Sequence, residues 1–306
     1  MDKTPPEDLV KEIMFWEKKR EAIILAHVYQ PGEIQDIADL TGDSLLLSQQ
    51  ASKTEAKVIV FCGVRFMAET AAILSPDKVV LLPEAKAGCP LADMAPLEKV
   101  KAKLKELPQA VVVSYINSSA AVKSLSDYCC TSANVVQIVK SVPPEKEILF
   151  IPDMNLANFA AQKAKRKINP WPGFCPVHHF LTKEEVEEAK KSHPRALLLV
   201  HPECRLEVCN LADYVGSTKG IIDFASNNSC PEYIIGTERG ILHPLKKRNP
   251  DKQFFMASEK MFCPDMKLIT LEKILYSLQN LTPRITVPED IREKSLKALN
   301  RMLEIT

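Results

Sequence analysis

The hexapeptide Ile24-Leu25-Ala26-His27-Val28-Tyr29 decides the fold, because the chain writes it three times. Its counterparts are Val112-Val113-Ser114-Tyr115-Ile116-Asn117 and Leu198-Leu199-Val200-His201-Pro202-Glu203. Each is an apolar run that ends in two polar residues spaced i, i+2, so His27, Tyr115 and His201 correspond. Twelve residues after each stands an aspartate (Asp39, Asp127, Asp213), and five further on a hydroxyl (Ser44, Ser132, Thr218). The register then reaches three Cys-Pro pairs, Cys89-Pro90, Cys175-Pro176 and Cys263-Pro264, lying 50, 48 and 50 residues beyond the aspartates. Ordered landmarks that recur at a fixed period mark an internal repeat.

Each unit of roughly 86 to 88 residues reads as strand, helix, short strand, helix, strand, helix, strand, Cys-Pro loop, helix. Val58-Ile59-Val60-Phe61, Ile148-Leu149-Phe150-Ile151 and Tyr233-Ile234-Ile235 are unbroken apolar runs, as strands buried on both faces are. Alternating strands and helices predict parallel sheets. The fold expected is α/β: three homologous three-layer αβα units about a pseudo-threefold axis. The divisions fall at residues 1–104, 105–192 and 193–284, with a C-terminal helix in 285–306 packing at the ends. Helices over Pro5–Lys19 and Glu289–Glu304 lie outside the repeats.

Ligands in open α/β sheets bind beyond the carboxyl ends of the strands. The i, i+2 pairs His27/Tyr29, Tyr115/Asn117 and His201/Glu203 sit there, each pair on one face. Ser44, Ser132 and Thr218 begin helices, where a hydroxyl caps free amides and the terminus attracts anions. Three such edges around one cleft suit a small substrate with two or more carboxylates, or a phosphate.

Nine cysteines stand in the chain. Cys89, Cys175 and Cys263 share the repeat register and form the ligand set. Cys62, Cys129, Cys130, Cys204, Cys209 and Cys230 lack counterparts and read as buried or incidental thiols. Three thiolates on an axis suit an iron-sulfur cubane with one iron left open, since full ligation normally takes four cysteines. A zinc ion held by the same three thiolates and water stays open as an alternative, as do a zinc-dependent hydrolase or aldolase and a non-enzymatic electron carrier or anion-binding module.

Forty basic residues balance thirty-nine acidic ones, giving a net charge of +1. No basic block tracks a phosphate backbone, which argues against nucleic acid as a partner. No apolar run approaches the roughly 18 residues of a membrane span. Met1-Asp2-Lys3-Thr4-Pro5-Pro6-Glu7-Asp8 is polar where a signal peptide needs an apolar stretch, so a cytoplasmic location is expected.

At these residues the chain closely resembles the quinolinate synthase (NadA) family, nearly end to end. The motifs that carry the likeness are Leu25-Ala26-His27-Val28-Tyr29-Gln30, Gly42-Asp43-Ser44-Leu45, Gly63-Val64-Arg65-Phe66-Met67-Ala68-Glu69-Thr70, Gly88-Cys89-Pro90-Leu91-Ala92, Thr131-Ser132-Ala133-Asn134, Pro152-Asp153-Met154-Asn155-Leu156, Cys175-Pro176-Val177-His178, His201-Pro202-Glu203-Cys204, Gly216-Ser217-Thr218, Gly236-Thr237-Glu238-Arg239-Gly240 and Cys263-Pro264-Asp265-Met266-Lys267.

The resemblance implies a transferase of NAD biosynthesis that condenses iminoaspartate with dihydroxyacetone phosphate to quinolinate, losing phosphate and water. It implies a [4Fe-4S] cluster on Cys89, Cys175 and Cys263. Substrate contacts would fall on His27, Ser44, Tyr115, Asn117, Ser132, His201, Glu203, Ser217 and Thr218, with Tyr29, Glu203, His201 and Tyr115 as the catalytic set and Tyr29 and Glu203 as its acid-base pair. The imine is usually supplied in this family by L-aspartate oxidase or aspartate dehydrogenase. Some members carry a CxxCxxC run ending at the last ligand; Ala257 and Lys260 occupy those places here, so a disulfide switch built on it is absent.

Overall fold

A computed structural model describes residues 7–305. It contains three four-stranded sheets, parallel throughout and identical in order. The first holds β1 (Ala22–His27), β2 (Leu40–Gly42), β3 (Val58–Cys62) and β4 (Val79–Leu81). The second holds β5 (Val111–Tyr115), β6 (Tyr128–Cys130), β7 (Ile148–Ile151) and β8 (Asn169–Pro170). The third holds β9 (Leu197–Val200), β10 (Tyr214–Val215), β11 (Glu232–Gly236) and β12 (Gln253–Met256). In each, the second strand is the edge and the first lies between it and the third.

The three apolar runs become the inner strands β3, β7 and β11. Every residue of Val58–Cys62 and of Ile148–Ile151 is buried. Helices cover these sheets, so their unalternating pattern is what a two-sided core demands. One continuous core runs through all three sheets, with smaller clusters under the second and third.

The repeated aspartates have a structural task. The amide of Asp39 donates to the Ile24 carbonyl at 3.0 Å, while Asp39 Oδ2 accepts from the Ile24 amide at 2.7 Å. Asp127 makes the same pair with Val112, and Asp213 with Leu198. Each carboxylate thus ties the turn before the short edge strand to the strand that carries the site residues.

The N-terminal helix is Glu7–Arg20. Pro5, the start expected from sequence, lies outside the described residues, as does Thr306. The C-terminal helix Glu289–Glu304 packs on β6 and on helices Ala120–Lys123 and Arg65–Leu74. Its buried Ala298, Leu299 and Met302 face that seam, and Asn134 Nδ2 donates to the carbonyls of Met302 and Ile305 at 3.0 and 2.8 Å. Among the described residues no helix is long and apolar enough to cross a membrane.

The capping expectation needs correcting. Asp43 and Ser217 are the N-caps of helices Ser44–Lys53 and Thr218–Asn227, accepting from Leu46 and Gly220 amides at 3.0 and 3.2 Å. Ser44 and Thr218 are first helical residues, one place later. Ser132 lies in the turn before Val135–Ser141, whose N-cap is Asn134. Because the caps are supplied by neighbours, these three hydroxyls are not spent on their own helix termini.

Candidate active site

The three Cys-Pro pairs build three similar corners. Cys89 and Cys175 are N-caps of the helical turns Pro90–Asp93 and Pro176–His179, and Cys263 precedes the turn Asp265–Lys267. Proline suits the first helical position because its missing N–H would have no partner there. The preceding cysteine is left beside the free amides of the turn. Backbone placement is fixed from outside: the Cys175 amide donates to Asp153 Oδ2 and the Cys263 amide to Glu238 Oε1, both at 3.1 Å. Asp153 and Glu238 hold matching places, each two residues beyond the third strand of its sheet. Val64 occupies that place in the first sheet, and the Gly88 amide instead meets Asp265 Oδ1 from the third unit at 3.2 Å.

All three thiols line one cavity of about 670 Å³, together with Tyr29, Asn117, His178 and Glu203. Burial pushes the Cys89 thiol up to about 12 and Cys263 to about 11, and Cys175 rises well above its ordinary range for the same reason. Neutral, buried thiols are poor nucleophiles. As metal ligands they are deprotonated outright, because a bound cation reverses the effect of burial. A second, tighter cavity of about 50 Å³ adjoins the first, with Tyr29, Phe66, Asn117, Glu203 and Met266 common to both walls.

That small cavity gathers nearly every other residue the repeat selected. His27, Tyr29, Ser44, Tyr115, Asn117, Ser132, His201, Glu203 and Thr218 all line it. Ser217 lines neither cavity, and its hydroxyl is engaged as the N-cap.

Glu203 lies at the centre. Its Oε2 is 3.0 Å from His178 Nδ1 and 3.1 Å from His201 Nδ1, and the two imidazoles stack at 4.7 Å. Its Oε1 is buried without a partner, as is Asn117 Oδ1. Burial alone raises the Glu203 pKa, but the His178 charge and hydrogen bond, with those of His201, outweigh it and hold the group well below the usual carboxylate range. Glu203 is therefore a carboxylate with one oxygen held and one free.

A chain of hydrogen bonds joins this carboxylate to Tyr29. His178 Nε2 is 2.8 Å from Thr237 Oγ1, which is 2.6 Å from the Tyr29 hydroxyl, itself 3.1 Å from Thr218 Oγ1. Outward from His178, one proton order satisfies every pair and leaves the Thr218 hydrogen free: Nδ1–H donates to Glu203 and Nε2–H to Thr237, Thr237 donates to Tyr29, and Tyr29 to Thr218. Burial raises the phenols of Tyr29 and Tyr115 well above their ordinary value, so both are neutral. Burial also lowers His27 to about 3. Its Nδ1 accepts from the Tyr29 amide at 3.1 Å, which places the proton on Nε2 as a neutral donor.

His178 and Thr237 belong to motifs quoted above, yet neither has a role in the sequence reading. The repeat could not select His178, because the places equivalent to it are Ala92 and Met266. The one available signal was the i, i+3 spacing of Cys175 and His178 on a helical turn. Cys175 Sγ, His178 Nδ1 and a Glu203 oxygen lie within 4.8 Å of one another, a group that could hold a metal ion. The remaining cysteines are unpaired, and Cys62, Cys129, Cys130, Cys204 and Cys209 are buried.

The chain is similar to known proteins along nearly its whole length. The family profile described as "Quinolinate synthetase A protein" (NadA) matches residues 11–304. The chain is 54% identical over 299 residues to a quinolinate synthase of Desulforudis audaxviator, covering 98% of this chain and 99% of the relative. It is 55% identical over 297 residues to one of Thermodesulfovibrio yellowstonii, covering 97% and 98%. A third, quinolinate synthase 1 of Methanosarcina acetivorans, is 50% identical over 298 residues, again covering 97% and 98%. The match spans all three sheets and both cavities, and the chain is an enzyme belonging to the quinolinate synthetase A (NadA) family.

Proposed function

We propose that the protein is a transferase that condenses iminoaspartate with dihydroxyacetone phosphate to give quinolinate, phosphate and two waters, in NAD biosynthesis. Atoms balance in that reaction without an oxidant or reductant, so the protein has to move protons and hold charge. The observation that carries the reading is one cleft in which three cysteine corners meet a held carboxylate and a neutral phenol.

The residues fit a [4Fe-4S] cluster on Cys89, Cys175 and Cys263. Their corners open on one cavity, Glu203 and Asn117 line it and each has a buried oxygen without a partner, and among the described residues no fourth cysteine lines it. When bound, the cluster supplies an iron without a protein ligand, a Lewis acid toward a substrate oxygen. His27, through Nε2–H, and the hydroxyls of Ser44, Ser132 and Thr218 bind the substrate's carboxylates and phosphate. Tyr115 and Asn117 orient it from the second unit. Glu203 Oε1 takes a proton from the substrate, and Tyr29 returns one to a departing oxygen; His178 and Thr237 let the two share it. The unpaired cysteines support a reducing, cytoplasmic setting, and an aspartate-oxidising enzyme would supply the imine.

Anaerobically purified protein tests this directly. Quinolinate should form from the two substrates, and iron and sulfide should be present in cluster stoichiometry. A colourless, zinc-loaded protein, or an intact cluster with no product, overturns the reading.

A further inference from the structure

The Gly63–Thr70 segment and a fully buried lysine take no part in the chemistry of the two cavities. Lys123 has no exposed surface. Its ammonium donates to the Ser118 carbonyl at 2.7 Å and to the Phe66 carbonyl at 3.4 Å, and it lies 5.4 Å from the centre of the Phe66 ring. Among the described residues no carboxylate reaches ion-pair distance of it. Burial lowers its pKa to about 8, partly offset by Cys129, Glu69 and Cys89 nearby.

An isolated buried ammonium is costly, and here its partners come from two units. Phe66 belongs to helix Arg65–Leu74 of the first unit, whereas Ser118 follows β5 of the second. The reciprocal contact exists as well: Glu69 Oε2 accepts from the Ala120 amide at 2.9 Å, and Arg65 holds Glu69 Oε1 at 3.2 Å. Both bonds are donated by the second unit to the first, but the side chains reach in opposite senses across one seam, Lys123 to the Phe66 backbone and Glu69 to the Ala120 backbone. Beside that seam, Asn117 and Phe66 both line the thiol cavity and the small polar cavity.

We propose that Lys123 is a positioning residue, which with Glu69 clasps the Asn117 loop against Phe66 and so sets the Asn117 amide at the waist between the two cavities. This rests on the substrate-binding role read for that cleft. The clasp acts through Asn117, and that makes it separable from a general packing role.

The test is a double-mutant cycle on quinolinate binding, measured by anaerobic titration calorimetry of the cluster-loaded protein. Asn117→Ala and Lys123→Met should each weaken binding about tenfold, as loss of a charge-assisted hydrogen bond does. The double variant should bind no more than about twofold worse than Asn117→Ala alone, because residues acting through one contact are not additive. The visible spectrum of the cluster should be unchanged. Additive effects, or wild-type affinity in Lys123→Met, overturn the clasp. If Lys123→Met fails to accumulate, Glu69→Ala takes its place in the cycle, and additive effects or wild-type affinity there overturn the clasp equally. Wild-type protein that does not bind quinolinate overturns the functional reading and this inference with it, whereas an additive cycle on a binding wild type overturns only the clasp.

Discussion

Asp127 and Val112 are bonded twice, the Val112 amide donating to Asp127 Oδ2 at 2.8 Å and the Asp127 amide donating back to the Val112 carbonyl at 2.9 Å. The same double bond in the other two units explains why an aspartate stands twelve residues after each site strand. Asp127→Ala leaves the buried Val112 amide without a partner, and should lower unfolding stability by about 1–3 kcal/mol. Asp127→Asn, which keeps an acceptor oxygen, should recover most of that. Denaturant midpoints measure both; an Ala variant as stable as wild type would show that this pair does not hold the turn to the strand.

The first of these aspartates has an acidic neighbour. Glu17, half-buried on the N-terminal helix, is raised to about 8 by burial first and then by its hydrogen bond with Asp39 and that group's charge. Its ordinary value is 4.5, so the folded state keeps a proton that the unfolded chain has lost. The stability this proton contributes is full below about pH 4.5 and is lost as pH rises through about 8. Glu17→Gln should therefore melt above wild type at pH 9 and show a flatter pH dependence from 6 to 9. Parallel melting curves would show that the two carboxyl groups are not coupled.

Thr237 holds both Tyr29 and His178 through one hydroxyl. Thr237→Val should lower kcat about tenfold or more with KM nearly unchanged, and Thr237→Ser should restore it. An unimpaired valine variant excludes the path between Tyr29 and Glu203.

Glu203→Gln keeps the shape of the carboxylate but not its basicity. The cluster spectrum should persist while quinolinate formation falls below detection. A fully active glutamine variant would require another base.

Cysteine substitutions should separate the ligands from the rest. Cys263→Ser should lose most iron and sulfide while keeping the far-ultraviolet spectrum, since Cys263 lies outside the strands. Cys230→Ser should keep the full complement of both. Equal metal loss in the two variants contradicts the assignment.

Much of the fold was legible in the order of residues alone. The unalternating apolar runs at Val58, Ile148 and Tyr233 dictated inner parallel strands, because only a strand covered on both faces excludes polar residues from both. The repeat register singled out Cys89, Cys175 and Cys263 and brought His27, Tyr115 and His201 into correspondence. The caps differ from the expected residues, since Asp43 and Ser217 stand one place earlier and outcompete Ser44 and Thr218 for the free amides, and Ser132 lies two places before the N-cap Asn134.

The three Cys-Pro corners, the site strands and the edge aspartates were determined by sequence alone, because each depends on local propensity repeated at one period. The roles of His178, Thr237 and Lys123 were decided only by tertiary structure. His178 reaches Glu203, Thr237 reaches Tyr29 and Lys123 reaches Phe66 across 25, 208 and 57 residues of chain. Such partnerships leave no period in the sequence; they arise only where packing brings different units against the same buried space.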